Sequence, residues 1–267
     1  MNPQPSHRLS LRAKLVALAD AADPLRIIPR MSAQPPALTI LCIYRHANAA
    51  HVRELLEQLP RAAARLWALD QGHPSLAKWT VGAGPGSRFD LLNLLAGGVP
   101  ADHYLLICDD DVIFRPGGLH RFVCLSERLG FGLVQPAHDR CHSNYSHHIT
   151  LRQPLRLARS TTFVEIGPVF AVAPDWRPSL LPFPAQGMGW GVELSWYDLL
   201  AKGLRMGIVD AVPMRHVGKI GISYGRGPEQ RRQEIEMNER GISAWTDVQK
   251  ELRSHYSARH RATPASR

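Results

Sequence analysis

The sequence predicts an α/β protein, a mostly parallel central sheet flanked by helices, built as a single domain with flexible tails. Three observations carry this. Ala37–Tyr44 and Tyr104–Cys108 are nearly continuous apolar runs, the composition of strands buried on both faces. A segment with helical spacing separates the first run from the next strand-like stretch, which is the order of a βαβ unit. The second run ends at once in Asp109, Asp110 and Asp111. In open α/β sheets ligands bind beyond the carboxyl ends of the strands, so these acids fall where chemistry is expected.

The elements follow in order. Residues 1–36 form a proline-containing lead-in (Pro3, Pro5, Pro24, Pro29, Pro35, Pro36) that leaves room for a short amphipathic helix around Leu9–Ala22. The core is expected over 37–227. Val52, Leu55, Leu56 and Leu59 recur at helical spacing and predict a helix over Ala47–Leu59, closed by Pro60. Ala64–Leu69 reads as a second strand ending at Asp70, and Lys78–Val81 as a short third one. The turn Gly82-Ala-Gly-Pro-Gly-Ser87 opens a helix over Arg88–Ala96. After the acidic strand a helix is expected over Pro116–Leu129, with proline near its first position and Gly130 at its end. Val134–Pro136 ends another strand, His138–Thr162 reads as loops and short strands, and Phe163–Val172 as a strand. Gly187–Gly191 leads into a helix over Val192–Lys202 capped by Gly203. Arg205–Val212 is the last core strand and ends near His216; residues 228–267 read as a polar helical segment and a basic tail.

At 267 residues with 45% hydrophobic and 21% charged content, the chain can bury a sizeable core. The net charge of +9 favours anionic partners without choosing among them. The basic C-terminal run is a solvated arm with no nucleic-acid motif beside it, so no specific nucleic-acid partner is expected. Cys42, Cys108, Cys124 and Cys141 form no CxxC or framework pattern, which points to a reducing compartment. No apolar run approaches the roughly 20 residues that span a bilayer. Lys14 and Asp20 interrupt the apolar residues of the N-terminus, so no signal segment is expected and the localisation reads as cytoplasmic. The basic tail and the N-terminal helix would permit peripheral contact with an anionic membrane.

Three stretches carry chemistry. Three adjacent carboxylates repel one another, and a bound cation relieves that repulsion, although a solvated acidic turn would read the same way. The turn at Gly82, Gly84 and Gly86 is neither a P-loop nor a GxGxxG; it could aim backbone amides at an anion or simply be flexible. Arg88, Asp90 and Asn93 are the side chains best placed there to face a nucleotide. The segment Gly187–Leu194 compresses glycines, an indole and a carboxylate into one turn: Trp190 offers a flat face for a sugar ring, and Glu193 falls in a first helical turn, where the dipole favours its ionised form. An ionised carboxylate beside a hydroxyl is what a general base requires. His216 is a candidate ligand for Mn²⁺ or a similar ion. His138, Cys141, His142, His147 and His148 are zinc-capable but match no standard spacing, and read better as an acceptor-side loop.

Asp109-Asp-Asp111 resembles the DxD motif of GT-A fold, nucleotide-sugar-dependent glycosyltransferases. Gly189-Trp-Gly-Val-Glu193 resembles the GWG-x-E/D segment of their inverting members, and His216 matches the metal-binding histidine that follows it. The resemblance covers about Ala37 to Gly218. It implies a GT-A-like, Rossmann-like fold, a divalent ion (Mn²⁺ or Mg²⁺), a nucleoside-diphosphate sugar as donor (UDP being the commonest nucleotide) and a carbohydrate or glycoconjugate acceptor. Asp111, with Asp109 and His216, would hold the metal. Asp70, Arg88, Asp109, Asp110, Lys219 and Arg226 would bind the donor, with Trp190 and Gly189 on the acceptor side and Glu193 as the base of an inverting transfer. Leu194 stands where the family often has a second acid. Two rivals remain: a haloacid-dehalogenase-type phosphatase using Asp109 and Asp111, and a GT-A-shaped protein that binds sugar or nucleotide without turnover.

Overall fold

The computed structural model describes residues 34–184, 187–218 and 226–256. The strands are β1 (Leu38–Tyr44), β2 (Ala63–Ala68), β3 (Thr80–Ala83), β4 (Tyr104–Asp109), β5 (Val112–Ile113), β6 (Leu133–His138), β7 (Ala158–Thr161), β8 (Val169–Val172), β9 (Met206–His216) and β10 (Glu251–His255). The helices are α1 (Ala49–Gln58), α2 (Arg88–Ala96), α3 (Gly118–Arg128), α4 (Arg177–Leu180), α5 (Val192–Asp198), α6 (Arg226–Glu239) and α7 (Trp245–Val248), with short 3₁₀ turns between. The sheet order is β10-β7-β9-β6-β8-β4-β1-β2-β3, with β5 paired to β9. Strands β3, β2, β1 and β4 are mutually parallel, β6 is parallel to β9, and β8 and β7 run against their neighbours.

Side-chain alternation makes this a three-layer structure. Along β1, Leu38, Ile40, Cys42 and Tyr44 pack on one face with Val52, Leu55 and Leu56 of α1 and Phe122 of α3. Leu41 points the other way, with Leu105 and Ile107 of β4, to Phe89 and Leu92 of α2 and Trp196 of α5. A strand covered on both faces must be apolar at every position, which is why β1 and β4 stand out in the sequence. Cys42 and Cys108 are cross-strand neighbours in this buried layer, and burial pushes both thiols up.

Several elements differ from their sequence reading. Only Val169–Val172 of the predicted strand Phe163–Val172 is a strand; the stretch before it is irregular and meets the end of β4, where Asp109 N–H donates to Pro168 O at 2.8 Å. Pro116 lies before the N-cap of α3, which is Gly117 in the left-handed region at φ 74°. The predicted helix over Val192–Lys202 is α-helical to Asp198 and finishes as a 3₁₀ turn, capped by Gly203 as expected. Beyond 228 the chain is not only helical: β10 adds to the sheet edge against β7, with Arg156 forking onto Glu251 at 2.7 and 2.8 Å. The amphipathic helix expected near Leu9–Ala22 and the end of the basic tail lie outside the described residues. Among the described residues no helix is long and apolar enough to cross a membrane.

The mixed half of the sheet hides a buried ion pair between β7 and β9. Arg159 of β7 grips Asp210 of β9 through two bonds of 2.9 and 3.1 Å, with both residues almost fully buried. Removing Arg159 takes away the main offset to burial of the Asp210 charge and leaves it to Arg152 and the Gln153 N–H. Arg159→Ala is therefore expected to cost about 3–5 kcal/mol, read as a lower urea midpoint, whereas replacing both residues by apolar ones should cost less.

Candidate active site

The turn after β4 sets the site. Asp109 is the last residue of β4, and the chain then reverses through Asp110 and Asp111 into β5. Because Val112 of β5 pairs with His216 at the end of β9, Asp111 arrives beside the imidazole: Oδ1 of Asp111 and Nε2 of His216 are 3.4 Å apart. Gly218 lies so close that a Cβ there would run into the Asp111 carboxylate. Asn144 O lies 3.3 Å from His216 Nδ1 and can only accept, which favours a proton on Nδ1 and leaves Nε2 facing Asp111.

Each of the three acids is handled differently. Asp109 receives Arg88 through Nη2 at 2.7 Å and Nε at 3.2 Å, while Nη1 of the same guanidinium donates to Ile166 O at 2.7 Å. Asp110 is buried, which pushes its carboxyl up, and its Oδ2 accepts from the Arg45 backbone N–H at 2.6 Å. At Asp111 burial also acts to raise the carboxyl, but His216 outweighs it and holds Asp111 below the usual range. The His216 imidazole is correspondingly held up by Asp111 against burial.

These groups line one cavity of about 570 Å³. Its other wall comes from the stretch Glu165–Pro168 and from Met188, Trp190 and Glu193. Gly189, at φ 90°, lies against the Phe89 ring so closely that only glycine fits, which seats the Gly-rich turn on α2. Glu193 sits in the first turn of α5, as its sequence position implied, but not as an ordinary ionised side chain. It is 6% exposed, and burial, reinforced by the charge of Glu165, pushes its carboxyl up to about 8. Bonds from Gly191 N–H (3.2 Å) and Ile166 N–H (3.4 Å) only partly offset this, and a helix of one or two turns has little dipole to add.

Most of the expected site residues therefore converge: Arg88, Asp109, Asp110, Asp111, Trp190, Glu193 and His216 all line the cavity. Asp70 does not. It caps the end of β2, fully exposed, accepting from His46 N–H at 2.9 Å, and its neighbour Leu69 faces the cavity instead. Asn93 bonds the backbone of Phe183 at 2.8 and 2.7 Å, and Asp90 bonds the Ser87 hydroxyl, and neither lines the cavity. Lys219 lies outside the described residues, as does the side chain of Arg226, whose backbone opens α6. Sequence reasoning missed Arg45, Glu165, Gln233 and Trp245, all in the cavity wall. Their signal was absent because each comes from a segment with no motif of its own.

Asp111 and His216 fit a hard divalent cation. One carboxylate oxygen of Asp111 is shut off from solvent without a hydrogen-bond partner, and an imidazole nitrogen faces it. Among the described residues no group of three His, Cys, Asp or Glu is arranged to hold a metal, the zinc-capable loop included. A cation at this pair would draw its remaining ligands from phosphate and water, as Mg²⁺-type sites commonly do.

Comparison with known proteins bears on the fold. No family model and no curated protein sequence matches the chain. Among solved structures, GalNAc-T7 crystallised with UDP, GalNAc and Mn²⁺ superposes with a TM-score of 0.54 at 9% identity over 89% of this chain. The fold is that of the GT-A glycosyltransferases. A second structure, S. aureus TarS 1–349, matches 65% of the chain at 8% identity with a TM-score of 0.43. The chain spans 58% of the length of each of these two proteins.

The position of Glu193 gives a test that needs no substrate. A carboxyl raised to about 8 in the folded protein keeps a proton that the unfolded chain releases near its ordinary value of 4.5. Its contribution to stability is thus fully present below about pH 4.5 and is lost as pH rises through about 8. Glu193→Gln cannot ionise, so its stability relative to the parent should climb across that window and level off above it, by on the order of a few kcal/mol. Thermal unfolding of both proteins from pH 4 to 9.5 measures it.

Proposed function

We propose that the protein is a metal-dependent glycosyltransferase that moves a sugar from a nucleoside-diphosphate sugar, a UDP-sugar first among the candidates, to an acceptor hydroxyl with inversion. The observation that carries this reading is the shared cavity: the Asp111–His216 pair forms one wall, and a buried carboxyl poised near neutrality stands in the other beside an indole. Asp111 and His216 would hold Mn²⁺ or Mg²⁺, which supplies Lewis-acid neutralisation of diphosphate charge when bound.

The protein's own residues would do the rest. Glu193 takes the acceptor's hydroxyl proton onto its carboxylate, and a carboxyl near 8 is a stronger base than an ordinary one. The acceptor oxygen then attacks the anomeric carbon while the diphosphate departs from the opposite face, so the product is inverted. Trp190 would give the sugar an apolar face, and Arg88, with Asp109 fixed on it, would frame the donor side. Arg45 brings a half-exposed cation to the same wall, in keeping with an anionic donor. Lys219 and Arg226 remain proposed diphosphate ligands, and Asp70 a contact to the ribose or base at the rim.

The phosphatase reading fares worse. It needs Asp109 as a nucleophile, yet that carboxylate is already forked by Arg88. A binding protein without turnover would keep the metal pair but would have no use for Glu193.

Calorimetric titration with UDP and GDP, in Mn²⁺ and then in EDTA, tests the donor site. One nucleotide should bind in a metal-dependent manner, with Asp111→Ala losing at least tenfold in affinity and His216→Ala moving the metal titration. Failure of any nucleoside diphosphate to bind the folded protein with metal present would refute the reading. Glu193→Gln should keep nucleotide binding and lose about 10²–10⁴ in transfer, and the parent's transfer rate should rise with pH toward about 8 as the base ionises.

A further inference from the structure

We propose that Glu165 is a positioning residue for Glu193: a fixed negative charge, anchored by the buried His138, that stands beside the base and governs when it gives up its proton. The catalytic meaning of this rests on the reading of Glu193 as base; the arrangement of the two carboxyl groups does not.

Glu165 is 7% exposed, lines the same cavity as Glu193, and precedes the residue whose N–H donates to Glu193 Oε1 at 3.4 Å. Its backbone is pinned by its own N–H, which donates to Gln135 Oε1 at 2.6 Å. Its carboxylate oxygen Oε2 lies 3.4 Å from Nε2 of His138, itself 1% exposed. Both atoms are shut off from solvent, and neither makes a hydrogen bond of good geometry. On the far side of the ring, His138 Nδ1 meets Ser143 Oγ at 2.7 Å, and that hydroxyl also accepts from the His216 backbone N–H at 2.9 Å. The pair is thus braced from β6, from the stretch before β8 and from the end of β9.

The two acids are driven apart. Burial acts to raise both, but at Glu165 His138 outweighs it and holds the carboxyl below the usual range, while among the described residues no cation offsets burial at Glu193. Two carboxyl groups with opposed shifts in one site mark a division of roles. Here the ionised member is almost fully buried, with its carboxylate against His138. At the position after Glu193, where a second acid could have stood, Leu194 is fully buried against Met237 and Val248.

Other charges face Glu193 and set the background. α2 brings Arg88, which is committed to Asp109 and Ile166 O. The loop before β7 brings His147, whose imidazole burial pushes down, and α6 brings Glu236 against Gly191. Asp110, Asp111 and His216 lie in the cavity wall beyond Arg88. Of these, Glu165 is the charge that acts to raise Glu193 after burial itself.

The test uses the full chain in EDTA with no donor or acceptor, so its outcome is independent of whether nucleotide binds. The stability gap between the parent and Glu193→Gln is followed against pH, first with Glu165 present and then in Glu165→Gln. With Glu165 present the gap should level off near pH 8; without it, about one pH unit lower. An unmoved levelling point would overturn the proposal. Should Glu165→Gln fail to fold, ¹³C NMR of the parent labelled at glutamate Cδ reads the same coupling, with the Glu193 resonance identified by its loss in Glu193→Gln. A glutamate resonance that titrates in the acid range should then show a second inflection where Glu193 titrates. Its absence would equally overturn the proposal. If transfer is observed, the pH profile of the active protein should shift acidward in Glu165→Gln by the same interval.

Discussion

One guanidinium holds the site together. Arg88 joins three segments that the sequence keeps far apart: its own helix α2, the acidic end of β4 through Asp109, and the irregular stretch before β8 through the carbonyl of Ile166. The N–H of that same Ile166 reaches Glu193. The acidic turn and the buried Glu193 are therefore linked through the backbone of one residue and one side chain. A lysine could not fill this place, because the fork needs planar donors pointing in two directions. Arg88 itself is oriented by α2, whose Phe89, Leu92 and Leu95 are buried under the sheet.

The same logic explains how three consecutive carboxylates can share a turn. Like charges at neighbouring positions would destabilise it if all three were free. One is forked by arginine, one is buried on a backbone N–H and pushed up, and one faces a histidine. The surplus positive charge of the chain does not enter this balance, since what matters is the few groups inside the cavity where screening by water is weak.

How much of this could be read from the sequence depends on where each residue's partners lie. β1 and β4 are legible because burial on both faces demands an unbroken apolar run, and the acids stand out because they end it. Gly189-Trp-Gly-Val-Glu193 is legible for a local reason as well: close packing on Phe89 and a positive φ admit only glycine at position 189. Glu165 is not legible. It lies in a run that looks like a strand, and only the break before Val169 turns it inward. β10 was hidden for the opposite reason, since an edge strand with one solvated face carries Glu251, Arg253 and His255 and looks polar. Asp70 shows the converse, a suggestive position at a strand end whose side chain lies outside the cavity and accepts from the backbone N–H of His46.

The raised carboxyl of Glu193 follows from the packing of α6 as much as from its own helix. Gly191 faces the backbone of Gln233 and the side chain of Glu236, and Gly187 abuts Glu229, so the polar helix lies across the Gly-rich turn and shuts water out from above. Leu194 and Met237 close the seam from behind. A helix with so few apolar residues gains little from burial, and its place is held by the glycines that let it approach. A side chain at Gly187, where a Cβ would run into the Glu229 carboxylate, would push it away and readmit water. Glu193 would then lose the desolvation that sets it apart from an ordinary surface glutamate, while Glu165, held by the buried His138, would keep its charge. The site's acid–base character thus rests on two independent supports, one excluding water and one fixing a neighbouring charge.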